Sequence, residues 1–363
     1  MLTESKVGVP TMLVTGAGGF VGGRVVEMAH LSGFARVRAG LRRWNSAARI
    51  ARFAVDMQLC DVLDQEQLDR SIEGMDTVIH CAAGSRDVIT RGTANALDAA
   101  QRHKVKRFVH ISTAEVYGKV SGEISETSPC KSMNNEYADA KIEAEKLCWE
   151  YNSKGLPVVI LRPSIIYGPF SDQYTVRIAE RLFAGGVGYM KDSADGLCNL
   201  VYVDDLVRSI FLSIRRPDAI GEAFNINGPE KVTWNDYFKQ FGAALKIPDF
   251  KEISKRRSTA KSTFKSVIKP AADFIGKHYG DFILKTGSKI GLGSEIENLR
   301  SFLSATPTNY ELGIFSRRAY YTYEKASNRL GYSPRFDLTI GLQLSIKWLS
   351  HVGCLQRFAS GSS

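Results

Sequence analysis

The chain has 363 residues, 44% hydrophobic and 24% charged, an ordinary globular balance. No apolar run reaches the ~20 residues that span a bilayer, and the first ten residues, MLTESKVGVP, lack the charged start, apolar run and cleavage site of a secretory signal. Lys plus Arg exceeds Asp plus Glu by 48 − 38 = 10, which suits an anionic ligand or an anionic surface. With no zinc-finger or RNA-recognition signature, nucleic acid is not expected as a partner.

The first half alternates strand and helix signals. TMLVTG reads as a strand and FVGGRVVEMAHLSG as a helix closed by Gly33. ARVRAGLR and AVDMQLCD are the next strands, followed by the helix LDQEQLDRSIEG and the strand DTVIHCAA. TANALDAAQRHK is a helix, RFVHIST a fifth strand, EYADAKIEAEKLCWEYNSKG a helix and PVVILRPSIIYG a sixth strand. Such alternation implies parallel strands joined by right-handed crossovers, a doubly wound Rossmann sheet of α/β class.

From about residue 170 the rhythm loosens. Residues 1–170 are expected to form the Rossmann domain, with segments such as 196–230 returning to it. Residues 171–355 form a smaller C-terminal α/β substrate-binding region, interrupted by a basic insertion at about 250–310. TVRIAERLFAGG, NLVYVDDLVRSIFLSI and EAFNINGPE read as smaller elements packed beside the main sheet. KEISKRRSTAKSTFKSVIKP holds seven basic residues against one acidic. Residues 264–275 show helix-like apolar spacing that Pro270 should kink or split. Residues 251–289 are read as a solvated basic face, with peripheral contact to anionic lipid as the alternative.

Gly16, Gly19 and Gly22 recur at three-residue spacing between the first strand and the first helix. Glycine is needed at the turn, where backbone approaches a pyrophosphate, and where helix meets strand. The helix start, Phe20 and Val21 included, presents free amides and a positive dipole end to phosphate. The second strand ends AGLRRWN, with Arg42 and Arg43 where NAD-binding chains carry a carboxylate for the ribose 2′-hydroxyl. Arginine suits a 2′-phosphate, so NADP is the expected cofactor and NAD the alternative.

Tyr137 and Lys141 stand four apart on one helix face. A phenol is a poor base at neutral pH, and a neighbouring ammonium favours the phenolate. Tyr137 then moves a proton while hydride moves to or from the nicotinamide. HISTAEVYG places Ser112 and Thr113 where the fifth strand ends, at the carboxyl edge that binds ligands in open α/β sheets.

The segments TGAGGFVG, CDVLD, HCAA, RFVHISTAEVYG, YADAK, LRPSIIYGP, VYVDDL and EAFNINGPE, with EKASNRLGYSPRFDLTIGL later, carry a resemblance. The chain resembles an extended short-chain dehydrogenase/reductase of the NAD-dependent epimerase/dehydratase family, over nearly its whole length except roughly 250–310. The resemblance implies that Thr113 is the catalytic hydroxyl, Tyr137 the acid/base and Lys141 the ribose-binding activator. It implies that Asp61 and Val62 contact adenine, Ala82 and Ala83 line the cofactor, and Pro163 lies near the nicotinamide. It also implies a homodimer. Three departures bear on substrate. Only SRDVIT remains of a loop that usually covers it, Ile165 stands where nucleotide-sugar members carry Asn, and Cys198 stands where they carry Arg. Ala114 replaces the proton-donating Asp of the 4,6-dehydratases, which argues against dehydration.

Glu115, beside Thr113, reads equally as a catalytic or substrate-binding carboxylate and as a strand-end salt-bridge former. His80 and His110 read as satisfied core histidines, Asp204 and Asp205 as caps of the following helix. The six scattered cysteines read as reduced thiols, with no metal-ligand spacing and a cytoplasmic setting. The leading expectation is an oxidoreductase acting between a secondary alcohol and a ketone. A nucleotide-sugar or carrier-linked sugar epimerase working by transient oxidation is the alternative, and a non-catalytic dinucleotide sensor the third reading.

Overall fold

The computed structural model describes residues 9–247, 250–254, 256, 259–266 and 305–360. They fall into two compact units. The first comprises 1–166, 201–229 and 321–335, and the second the remaining three segments.

The first unit is built on a seven-stranded parallel sheet. Strands β1 (Thr11–Thr15), β2 (Arg36–Leu41), β3 (Asp56–Leu59), β4 (Thr77–His80) and β5 (Arg107–Ile111) are joined by two more, Val158–Pro163 and Glu222–Ile226. From edge to edge the order is Glu222–Ile226, Val158–Pro163, β5, β4, β1, β2, β3. The Glu222–Ile226 strand pairs parallel to Val158–Pro163, with Phe224 opposite Leu161. EAFNINGPE therefore enters the main sheet rather than packing beside it. The apolar run at the sixth strand also divides, into Val158–Pro163 and a short Ile165–Tyr167 strand.

Strand side chains alternate between two cores, as a period of two requires. Val14, Ile79, Val109, Val159 and Phe224 face one core, which includes Val25 and Val26 of α1 (Phe20–Leu31) and Leu206 and Ile210 of the Val203–Arg215 helix. Leu13, Val78, Phe108, Ile160 and Ala223 face the other. That core is closed by α2 (Gln65–Ile72), α3 (Arg86–Arg102) and α4 (Glu136–Ser153), which contribute Leu68, Leu97 and Cys148. Burying strands on both faces explains their near-continuous apolar sequence.

Two local expectations change. Helix α3 begins at Arg86, so most of SRDVIT is helix rather than loop. Asp204 and Asp205 lie inside the first turn of Val203–Arg215, whose N-cap is Tyr202 with no side-chain cap. Asp204 instead pairs with Arg24 at 2.7 Å, and Asp205, fully buried, accepts from the Arg335 amide.

The second unit is mainly helical among its described residues, with Arg177–Phe183, Trp234–Ala244, Asn309–Phe315 and Leu338–His351 as helices. Capping boxes at Thr233/Asp236 and Thr308/Glu311 start two of them. Trp234 packs on Phe315 at 4.4 Å between ring centroids, with Phe238 edge-on to the same ring. Residues 259–266 are helical; most of the basic stretch at 251–289, Pro270 included, lies outside the described residues. No helix among the described residues is long and apolar enough to cross a membrane.

Candidate active site

The loop after β1 is too tight for side chains. Gly16 adopts φ +65°, and its carbonyl accepts the Gly19 amide at 2.9 Å. A Cβ on Gly22 would stand 2.4 Å from the Gly16 oxygen, closer than real Cβ atoms come. Gly19 is the N-cap of α1 and offers no side-chain cap. The first-turn amides of Phe20, Val21 and Gly22 are thereby left to an external acceptor at the positive end of the helix dipole. A cradle that any Cβ would fill, opening a helix at the carboxyl edge of a parallel sheet, fits a dinucleotide pyrophosphate.

The turn following β2 packs against this loop, because a Cβ on Gly18 would meet Ser46 at 2.6 Å. Ser46 donates its hydroxyl proton to the Arg43 carbonyl at 2.6 Å. Arg42 and Arg43 are exposed and, among the described residues, neither side chain has a hydrogen-bond or ion-pair partner. Nearby arginines are engaged: Arg24 by Asp204, Arg49 by the Phe20 carbonyl at 2.9 Å, Arg52 by Glu27. Across the sheet edge, the Asp61 carboxylate accepts the Leu63 amide at 3.0 Å, and the Val62 carbonyl accepts from Asn95 at 3.0 Å. Ala82 is buried against Gly16, Ala83 is exposed, and Pro163 is buried at its strand end.

Thr113, Tyr137, Lys141 and Glu115 come together at the end of β5. Thr113 is 8% exposed and accepts the Glu115 amide at 3.2 Å, which holds the turn that follows the strand. Asn135 caps α4 through the Ala138 amide at 3.0 Å, placing Tyr137 in the first turn. Tyr137 keeps 42% of its surface exposed, with Thr113 beside its hydroxyl. Burial raises the phenol above its usual pKa, the Thr113 contact opposes that, and the Glu115 charge adds to it. Lys141, one turn on, is 2% exposed and donates to the Ile111 carbonyl at 2.7 Å. Burial pushes its ammonium down to about 8, against the pull of Cys81, Cys148 and Glu145.

Below these residues lie the two histidines. His80 is satisfied by Thr15 at 3.0 Å and Thr93 at 3.2 Å, as a core histidine should be. His110, stacked on it at 5.7 Å, has no partner at either ring nitrogen among the described residues, contrary to the sequence expectation. Burial and the Lys141 charge hold it well below the usual histidine range, so it is neutral. Cys198 is fully buried within the second unit, where its thiol has no access to a ligand phosphate. Among the described residues no His, Cys, Asp or Glu cluster is placed to hold a metal ion. Sequence reasoning did not single out Glu145 and Arg162, which form a buried ion pair behind Thr113 at 2.6 Å. The spacing of Glu145 four residues after Lys141 is the one signal that could have pointed to it.

The profile of the NAD dependent epimerase/dehydratase family matches residues 12–227. An N-acetyl-alpha-D-glucosaminyl-diphospho-ditrans,octacis-undecaprenol 4-epimerase of Escherichia coli O157:H7 is 27% identical over 253 residues, 65% of this chain and 73% of its own length. A 2-alkyl-3-oxoalkanoate reductase of Shewanella oneidensis is 29% identical over 251 residues, 61% of this chain; the chain spans 62% of that reductase. In fold the chain is similar to UDP-glucuronic acid 4-epimerase from Bacillus cereus, solved in complex with NAD, with a TM-score of 0.70 at 20% identity, over 97% of this chain and 100% of the other. With more than half of its residues matched by the family profile, and with the parallel sheet and glycine loop in place, the chain belongs to the NAD dependent epimerase/dehydratase family of enzymes.

Proposed function

We propose that this chain is an NADP(H)-dependent oxidoreductase that interconverts a secondary alcohol and a ketone. The observation that carries the cofactor choice is the pair of exposed arginines, Arg42 and Arg43, without a side-chain partner among the described residues and in the turn packed on the glycine loop. They stand about twenty residues past the loop, where a carboxylate would grip a 2′-hydroxyl and where a guanidinium fork instead matches a 2′-phosphate. The dinucleotide, when bound, donates or accepts the hydride. The loop from Gly16 to Gly22 would hold its pyrophosphate through the amides of Phe20, Val21 and Gly22. Asp61 and Val62 border the adenine, and Ala82, Ala83 and Pro163 line the path to the nicotinamide.

The remaining chemistry belongs to the residues at the end of β5. Lys141 uses one N–H on the Ile111 carbonyl and has two left for ribose hydroxyls. Thr113 and Tyr137 converge on one substrate oxygen; Thr113 hydrogen-bonds it, and Tyr137 gives it a proton in reduction or takes one in oxidation. The raised phenol keeps its proton at neutral pH, the form that reduction requires. Glu115, whose charge reaches the phenol, would bind a substrate hydroxyl in this reading. The fully buried Cys198 and the apolar Ile165 offer no grip on a sugar diphosphate, which favours a ketone over a nucleotide sugar. The similarity to an oxoalkanoate reductase supports the same reading. We place the enzyme in the cytoplasm as a homodimer acting on a small molecule, the basic stretch at 251–289 bringing it to anionic lipid where the substrate is lipid-borne.

The second reading is an epimerase for a carrier-linked sugar, favoured by the relative named for an undecaprenol-linked substrate. A panel of ketones assayed with NADPH separates the two. Stoichiometric cofactor consumption, lost in Tyr137→Phe, supports the reductase. Product formed with no net change in dinucleotide, on enzyme that retains NAD through purification, contradicts it.

A further inference from the structure

One guanidinium ties together the segments that carry the candidate catalytic residues. Arg162, 5% exposed, lies in the Val158–Pro163 strand immediately before Pro163. Its Nε donates to Glu145 Oε1 at 3.0 Å and its Nη2 to Oε2 at 2.6 Å, a bidentate pair. Its Nη1 donates to the Tyr117 hydroxyl at 2.9 Å, and Tyr117 passes its own proton to Asn225 Oδ1 at 2.6 Å. Glu145, 3% exposed, also accepts the Ser112 hydroxyl at 2.5 Å.

These bonds bracket the site. Ser112 precedes Thr113 and Tyr117 follows Glu115, so the network grips the turn on both sides. Glu145 lies one helical turn beyond Lys141 and two beyond Tyr137, on the same face of α4. Taking two charges out of water costs several kcal/mol, and apolar residues of similar volume hold a helix to a sheet without that penalty. The pair therefore does something that packing alone would not do.

We propose that Glu145 and Arg162 are positioning residues, holding α4 at the depth where Tyr137 meets Thr113 and Lys141 reaches the Ile111 carbonyl. The proposal rests on the catalytic reading above. Burial works against the Lys141 charge, opposed by Cys81, Cys148 and, least of the three, Glu145, whose own charge is paired with Arg162. The other titratable groups around Lys141 are Cys81 after β4, Cys148 on α4, His80 on β4 and His110 on β5. Both thiols are raised by burial and both histidines lowered, so all four are uncharged at neutral pH.

The test uses the full chain with three variants: Glu145→Gln, Arg162→Lys, and the double variant Glu145→Gln/Arg162→Met, which leaves no orphaned charge. Each single variant is expected to lose about tenfold or more in kcat with dinucleotide affinity held within about threefold. In the double variant thermal stability recovers but kcat does not. Its dinucleotide affinity stays within about threefold of wild type, so the loss falls on kcat alone. A double variant with wild-type kcat overturns the proposal and leaves the pair structural. Ultraviolet titration of the Tyr137 phenol, taken as the difference from Tyr137→Phe, gives a readout without turnover. If the wild type reduces no ketone yet the phenol titrates at higher pH in the double variant, the catalytic reading fails and the positioning role stands; an unmoved phenol removes the role.

Discussion

Replacing Lys141 by methionine should stabilise the dinucleotide-free chain while abolishing its chemistry. The folded ammonium is pushed down to about 8 from 10.5, a difference of 10.5 − 8 = 2.5 pH units. At about 1.4 kcal/mol per unit, that is a cost on the order of 3 kcal/mol for carrying the charge below pH 8. Methionine removes this cost but leaves the Ile111 carbonyl without its 2.7 Å donor, a loss of about 1 kcal/mol. The net expectation at pH 7 is a gain of roughly 2 kcal/mol. Its pH dependence is the sharper test. Between pH 8 and 10.5 the unfolded chain binds a proton that the folded chain does not, so wild-type stability climbs with pH. The advantage of Lys141→Met should therefore shrink across that window and vanish above it. Denaturant unfolding of both proteins at pH 7 and pH 10.5 measures it. A methionine variant less stable at both pH values, or an advantage that does not change with pH, refutes the account of a strained, charged lysine.

Other consequences follow from individual contacts. Gly22→Ala puts a Cβ against the Gly16 carbonyl with backbone on both sides, so the loop must shift. Dinucleotide affinity should fall tenfold or more, a loss of about 1.4 kcal/mol or greater, although alanine is the better helix former; fluorescence titration with unaltered affinity would contradict the cradle. Tyr137→Phe should lower kcat by about 10²–10⁴ with near-normal dinucleotide binding, and Thr113→Val should act in the same direction, as steady-state kinetics will show. Asp205→Asn leaves a fully buried site short of the charge that holds Arg208 at 2.8 Å and the Arg335 amide. It should cost about 2–3 kcal/mol in denaturant unfolding without altering dinucleotide affinity.

Much of this was legible in the sequence because the signals are local. The glycine triplet, the period-two strands and the Tyr137–Lys141 spacing each sit within one element or its turn, and all recur in the structure where the pattern put them. What was not legible depends on long-range pairing. EAFNIN has the same apolar look whether it packs beside a sheet or joins it, and only its register with Val158–Pro163 decides. The start of α3 was hidden because Ser85, Arg86 and Asp87 are equally at home in a loop. Asp204 and Asp205 carry helix-cap chemistry, yet Arg24, 180 positions away, and the Arg335 amide claim their carboxylates. Arg162 and Glu145 meet only because the sheet and α4 stack, which no spacing rule encodes.

The account turns on what Arg42 and Arg43 hold, and titrating purified protein with NADPH and NADH measures it most directly. The account predicts that NADPH binds preferentially and exchanges freely. Replacing both arginines by alanine should weaken NADPH by about 10- to 100-fold, as expected for lost charged hydrogen bonds, and leave NADH nearly unchanged. Tightly retained NAD, with affinity indifferent to those arginines, would contradict it.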